Sequence, residues 1–499
     1  MRSLTEAENF GAVDAGNDQL LTQTFEDHEA FLGLREMKRF LLIGKKGSGK
    51  TAIFKQIITN TDPEIFTFGH TFSDYPWDHH ERQARSGIPD FDKFTHSWKY
   101  LIMLTASKML LNYDQALPFD DESMEALGKL ESFVIDTYGS RDPDVTQIFT
   151  PSKYLKLKPN IQFNTGLLRA GISPESVPME DLPLVVQDVN RNLLDYVLAC
   201  LHPEHQYYIC FDELDFGFDP ENSSYISRLI GLLLACRDIN IAARNSGKQL
   251  CVAIFLRDDI YETLQFDDKN KLTENFVSLI EWDTPRTNKS LKDLMEKRFQ
   301  AVLSEHPGEY VKWINVFDEA QEMPGRQSKY QHILDRTYLR PRDMIRFINA
   351  VLTIYKERTF RGTNTKTKFG NVDVQSARQE YSEYLNAELD DEIYKHLPEY
   401  KRYLDLLRAI GAWQFETQAF VNVVNERSDL SDGEMPISIL EKLYNHSKIG
   451  FFRAGGRGYG GSEYVFRYKE TRTKFDSTAV RFRVHPGLIE VLGLKKSTV

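Results

Sequence analysis

Eight residues constrain this chain more than any others: Gly44-Lys45-Lys46-Gly47-Ser48-Gly49-Lys50-Thr51, set between the apolar run "RFLLIG" and the helical pattern "AIFKQII". They fit G-x-x-x-x-G-K-[S/T] in the strand, glycine loop, helix context that the motif requires. Glycines let backbone N–H groups turn inward around phosphates, and the following helix N-terminus adds a favourable dipole. Lys50 is expected to place its charge on the β- and γ-phosphates, and the Thr51 hydroxyl to take one Mg²⁺ coordination position. The expected nucleotide site therefore runs from Gly44 through Lys45, Lys46, Gly47, Ser48, Gly49, Lys50 and Thr51 to Ala52, with ATP and Mg²⁺ as its ligands. No residue set distinguishes adenine from guanine. The plain alternative, a Gly-Ser turn with solvated lysines, accounts poorly for the flanking strand and helix.

A second motif completes the chemistry. In "YYICFDELD" at 207–215, an apolar run leads to Asp212 at the C-terminal end of an expected strand, where parallel sheets bind ligands. Asp212 is the second expected Mg²⁺ residue, through water. Glu213 is placed to polarise the attacking water. As helix caps these acids would be unremarkable, but that role suits Asp215 better. Arg257 ends the next strand candidate, "CVAIFLRDD", and is read with Glu213 and Lys50 as catalytic, reporting on the γ-phosphate. The competing role for it is neutralising Asp258 and Asp259. In "YLRPRDMIRFINAVL", Pro341 opens a helix and puts Arg342 in the first turn, where a cation opposes the helix dipole unless an anion is near. A nucleotide phosphate would explain it; so would Asp343 as a simple partner.

The order of elements gives the fold class. Buried strands "YYICFDE", "LCVAIFL" and "FVSLIEW" alternate with helical stretches, the pattern of a parallel sheet covered on both faces. The expected architecture is an α/β P-loop NTPase core of the ASCE/AAA+ kind over 1–285, with a Pro-rich insertion at about 140–180. A helical lid and linker follow over 286–385. A final unit over 386–499 has three helical stretches and then two alternating strands, "SEYVFRYK" and "STAVRFRV", the outline of a winged helix with a basic β-hairpin.

Charge divides the 499 residues unevenly: 62 Lys and Arg against 73 Asp and Glu give −11 overall, which argues against a chain-wide nucleic-acid coat. From Gly450 onward, ten basic residues face four acidic ones, so this tail carries +6 and the remainder about −17. Arg467 and Lys469 on one strand, and Arg481 and Arg483 on the other, are the candidate contacts to a phosphate backbone or a protein partner. A solvated face, or one docked on the acidic body, is the alternative. The glycine run "AGGRGYGG" at 454–461 has no helix after it and reads as a hairpin tip. Cys200, His202, His205 and Cys210 have no usual zinc spacing, and His79, His80 and His96 read as surface or internally satisfied histidines. The four cysteines, Cys200, Cys210, Cys236 and Cys251, fall in one central stretch and mostly inside apolar runs, as expected of buried thiols in a reducing cytoplasm. With no apolar run near the ~18 residues that a bilayer demands and no signal-peptide core, the expected location is cytoplasmic, without a membrane partner.

The segments "FGAVDAGNDQLLTQTFEDHEAF", "LLIGKKGSGKTAIFK", "ICFDELDFGF", "FLRDDIYETLQFDDKNKL" and "RPRDMIRFINA" resemble, in this order, a group of bacterial P-loop ATPases. That group is similar to the STAND and origin-recognition branches of the AAA+ superfamily, and its members often stand beside anti-phage defence genes. The resemblance covers most of residues 8–350. It implies an ATPase core, a helical lid and a winged helix, in a protein that works as a homo-oligomer or with an effector encoded nearby. By the same likeness, Arg257 corresponds to a sensor arginine and Arg342 to a lid arginine. The chain departs from the likeness in having no obvious fused nuclease, TIR or protease segment, which counts against an effector activity of its own. The expected function is an ATP-hydrolysing molecular switch in bacterial defence. An ATP-timed DNA-binding regulator or loader using its winged helix is the main alternative, and an inactive nucleotide-binding scaffold a third, disfavoured by Lys50 and Glu213.

Overall fold

The computed structural model describes the chain outside residues 72–89, 113–117, 144–181, 220–221, 307, 395–396, 428, 430–432, 456–460 and 499, and side chains outside 90–93 and 182–188 as well. The expected insertion at 140–180 lies almost wholly outside the described residues, as do His79, His80 and most of the 454–461 glycine run. The chain forms two compact units: 27–45 with 50–280, and 1–26 with 46–49 and 281–499.

The first unit is built on five parallel strands: β1 (Leu41–Gly44), β2 (Ile65–Thr71), β3 (Gln206–Asp212), β4 (Leu250–Arg257) and β5 (Val277–Leu279). They lie in the order β2-β3-β4-β1-β5. β3 and β4 are buried almost throughout, which is why both read as unbroken apolar runs. Parallel pairing brings the C-terminal ends to one edge: Gly44 lies opposite Arg257, and Thr71 opposite Asp212. Helix Lys50–Ile58 packs behind β1 and β4 through an edge-to-face contact of Phe54 with Phe255. The long helices Asp90–Asn112 and Ser223–Asn245 are tied by Trp98, whose indole donates to the Arg228 carbonyl at 2.9 Å. All four cysteines are free and buried in this unit.

Gly69 in β2 marks a close approach, since a Cβ there would sit 2.6 Å from the Phe54 ring. Gly69→Ala is therefore expected to destabilise this unit by about 1–3 kcal/mol, as overpacking does. Chemical denaturation of the variant against wild type measures it, and an unchanged midpoint would show that the ring moves freely.

The second unit has one hydrophobic core running from Leu4 and Phe10 through Leu291 to Leu494. Helices Leu291–Leu303, Pro341–Phe360 and Asn371–Ile393 supply its first half. The polar stretch at 360–371 is anchored in that core by Phe369, fully buried against Phe317. The rest is helices Tyr400–Ile410, Thr417–Glu426 and Pro436–Asn445 with a five-stranded sheet of β6 (Ala412–Glu416), β7 (Ile449–Arg453), β8 (Glu463–Val465), β9 (Arg481–Val484) and β10 (Lys495–Thr498). Its order is β10-β6-β9-β7-β8.

This sheet corrects the expected hairpin. β8 pairs with β7, whereas β9 sits between β6 and β7, so the two basic strands are not neighbours. Nor does the first strand run to Lys469. It stops at Val465, and the next residues turn so that Phe466 and Tyr468 both reach the core with Val465. Three buried residues at 465, 466 and 468 break the period-two alternation on which the cationic face of Arg467 and Lys469 rested.

Candidate functional site

Gly44 is the last residue of β1, and Lys50 opens the helix that follows, so the loop is as short as the motif allows. Gly47 and Gly49 have φ of 77° and 107°, conformations that side chains with a Cβ rarely adopt. In the first unit, the Lys50 ammonium folds back to donate to the carbonyls of Gly44 and Lys45, each at 2.9 Å. Burial draws Lys50 below its usual range, while Asp215, Asp212 and Asp258 oppose the shift. The nearby carboxylates thus favour the charged form that burial disfavours.

Asp212 is 2% exposed. The Thr51 hydroxyl hydrogen-bonds its carboxyl group, and Oδ2 is buried with no hydrogen-bond partner. Burial pushes the Asp212 carboxyl up to about 6, against the Thr51 hydrogen bond and the Lys50 charge. A buried carboxylate oxygen with nothing to bind, beside a hydroxyl oxygen, is a donor set of the hard-oxygen type that suits Mg²⁺. Glu213 follows in a left-handed backbone with φ of 60°, a conformation costing about 1–3 kcal/mol that persists where the surroundings impose it.

The raised Asp212 carboxyl gives a pH-dependent stability of definite sign. The folded state holds this proton more tightly than the unfolded chain, so stability from this group falls as pH rises from about 4 to about 6. Asp212→Asn should thus stabilise the ligand-free protein by about 2–3 kcal/mol at pH 8 and hardly at all at pH 4. Denaturation midpoints at the two pH values check it; equal gains at both would remove buried charge as the cause.

Arg257 is the N-cap of the short helix Asp258–Thr263. Its guanidinium pairs with Asp259 and reaches Asp215 at 3.3 Å, so its partners include one of the two acids weighed for it and an acid from the β3 turn. Sequence reasoning missed Asp215 and Asp258 as members of the Lys50 surroundings. Their signal was position, immediately after β3 and β4 at the strand ends.

The loop tip, 46–49, belongs to the second unit, and there the "RPRD" segment meets it. Arg342 lies against Gly47: a Cβ on Gly47 would come 3.1 Å from the arginine's own Cβ, and the Arg342 amide donates to the Gly47 carbonyl at 3.5 Å. The Arg342 guanidinium donates to the Val13 carbonyl at 3.2 Å and to Glu388 at 2.9 Å, and Lys46 lies 3.6 Å from the same carboxylate. Asp343 turns instead to Arg340, an arginine that sequence reasoning passed over. Arg340 is buried, paired with Asp343 at 3.0 Å and Glu392 at 3.1 Å, and donates to the Lys46 carbonyl at 3.0 Å. Ser48 is buried with its Oγ unpartnered, and its carbonyl accepts from the Trp282 indole at 2.9 Å.

The C-terminal cations are dispersed. Lys469 pairs with Asp335 at 3.2 Å, Arg481 lies 3.5 Å from Glu416, and Arg467 reaches Asn445 at 3.5 Å. Arg483 is stacked on Tyr464 and Trp413, 3.9 and 4.7 Å from their ring centres. His202 and His205 stack on each other, while Cys210 sits in the interior of β3. No helix among the described residues is long and apolar enough to cross a membrane.

A comparison with curated proteins finds no match. Residues 289–390 match the model of the FunZ-associated C-terminal helical domain, a stretch that holds Arg340, Arg342 and Glu388.

Proposed function

We propose that this chain is an ATP-binding and ATP-hydrolysing molecular switch with a P-loop core, acting as a homo-oligomer or on an effector protein. The observation that carries the reading is Asp212: a buried carboxylate with one oxygen bound by Thr51 and the other unpartnered, next to Lys50 at the end of a glycine loop. Lys50, now spent on two loop carbonyls, would exchange them for phosphate oxygens. Thr51 and Asp212 would hold Mg²⁺, and Glu213 would orient water. Mg²⁺-ATP supplies the phosphoryl group and the charge that these side chains are arranged to meet. Arg257, held at the end of β4 by Asp215 and Asp259, is the proposed sensor of the terminal phosphate, and Arg342 the proposed lid arginine.

A role in bacterial anti-phage defence rests on the resemblance across residues 8–350. The C-terminal helices and sheet are inferred to be a winged-helix-like element. A DNA-binding reading gains little from it, because Lys469 is paired with an acid and Arg483 is stacked on aromatic rings. The test is metal-dependent nucleotide binding. Wild type should bind ATP more tightly with Mg²⁺ than with EDTA, and Asp212→Asn should lose that difference. A variant with undiminished Mg²⁺ dependence would overturn the assignment.

A further inference from the structure

The tip of the glycine loop is gripped from outside by residues distant in sequence. Within the second unit, three consecutive tip carbonyls each accept a hydrogen bond. The Lys46 carbonyl accepts from the Arg340 guanidinium at 3.0 Å and the Ser48 carbonyl from the Trp282 indole at 2.9 Å. The Gly47 carbonyl, more loosely held, accepts from the Arg342 amide at 3.5 Å. Peptide geometry carries this grip over to the amides. No described peptide bond is cis, so the C=O of one residue and the N–H of the next point to opposite sides of one plane. Each held carbonyl therefore fixes the direction of the amide that follows it, at Gly47, Ser48 and Gly49. Among the described residues, those three amides donate to no protein acceptor. With Gly47 and Gly49 both at positive φ, such a run of amides is the backbone form of an anion-binding nest.

The two stronger holders are themselves fixed. Trp282 is buried in the core of the second unit. Arg340 is buried at the N-cap of helix Pro341–Phe360. Its Nε donates to Asp343 at 3.0 Å, and Nη1 reaches Glu392 at 3.1 Å as well as the Lys46 carbonyl. The same Asp343 oxygen accepts from the Tyr338 amide at 2.9 Å. Nη2 of Arg340 and Oδ1 of Asp343 are buried without partners, so this pair is spent on holding position and is not fully satisfied. The tip's own side chains hold it less. Lys46 lies 3.6 Å from Glu388, and Ser48 Oγ is buried with no partner. A loop that closes around phosphate only on binding loses backbone freedom at that moment, whereas a gripped loop has lost it already.

We propose that Trp282 and Arg340 are positioning residues for the phosphate cradle: by holding the Ser48 and Lys46 carbonyls, they keep the Gly49 and Gly47 amides set for phosphate oxygens before a nucleotide arrives. The inference rests on the nucleotide reading above, and its test tells the two apart. Trp282→Phe keeps a buried aromatic ring and removes the N–H donor. Arg340→Lys keeps a cation for Asp343 and Glu392 and removes the fork that also reaches Lys46. Calorimetric Kd values for Mg²⁺-ATP and Mg²⁺-ADP, turnover at saturating ATP and the ligand-free melting temperature are measured on wild type and both variants. Trp282→Phe should bind both nucleotides roughly three- to tenfold more weakly, and Arg340→Lys, which loses a charged donor, roughly tenfold or more. Turnover at saturation should fall less than about twofold, because bound phosphate then orders the loop itself. The substitutions lie on different segments, so one decides should the other prevent folding. A lowered melting temperature with unchanged Kd values would reduce the substituted residue to a structural role and overturn its assignment, as would a loss confined to turnover. A wild type that binds neither nucleotide would overturn the nucleotide reading itself, and the cradle with it.

Discussion

Glu213→Gln is expected to keep ATP binding and lower turnover by roughly 10²-fold or more, because an amide preserves shape and hydrogen bonding but cannot accept the proton of an attacking water. Glu213 sits in the turn that ends β3, directly after the proposed metal residue, in a left-handed backbone that the surrounding fold holds. The substitution is nearly isosteric and leaves that backbone alone, so loss of turnover would not reflect misfolding. Phosphate release at saturating Mg²⁺-ATP, with binding measured on the same preparations, separates the two effects. Equal turnover in both proteins would remove Glu213 from catalysis.

Lys50→Ala is expected to reduce ATP affinity by roughly 10²-fold or more through loss of the charge facing the phosphates. The ammonium bonds only two carbonyls of its own loop among its described hydrogen bonds, both of them backbone groups at the edge of the sheet. Its removal also takes away a charge that holds down the buried Asp212 and Asp258 carboxyls, so both should move further up in the ligand-free variant. The readout is the nucleotide-induced rise in melting temperature, which follows the logarithm of ligand concentration over Kd. Wild type should show it and the variant should show almost none at the same concentration. Identical rises would place the nucleotide elsewhere.

The glycine loop and the Asp212 strand were legible because each joins an apolar run to a polar residue whose place in the fold follows from its place in the run. β3 and β4 are buried at all but one end residue each, so their sequences announce both their extent and the edge at which they stop. The C-terminal sheet was far less legible. β6 follows helix Tyr400–Ile410 without a break in apolar content; the interruption is Gly411, left-handed at φ 69°, which ends the helix and lets Ala412 start a strand. β8 is three residues long, too short to show a period, and the aromatic residues after it point inward from a turn. Pairing order among β6, β7, β8 and β9 depends on contacts distant in sequence and leaves no local mark.

In the "RPRD" segment the helix start was legible and the ion pairing was not. Pro341 announced the helix, and Arg342 was the expected arginine, but Arg340 holds the Lys46 carbonyl from the N-cap position. Glu388 and Glu392, which receive these two arginines, lie near the far end of another helix. Asp343 was the plain alternative weighed for Arg342 against a phosphate, and Asp343 pairs with Arg340 instead. Ion-pair choice among neighbouring charges is settled by tertiary packing, which a local motif does not encode.

The most direct test of the account is a calorimetric titration of Mg²⁺-ATP into the wild-type protein. The account predicts one saturable site per chain, weakened when Mg²⁺ is replaced by EDTA and abolished at the same concentrations by Lys50→Ala. Absence of saturable binding to wild type, or binding that ignores both the metal and the lysine, would contradict it.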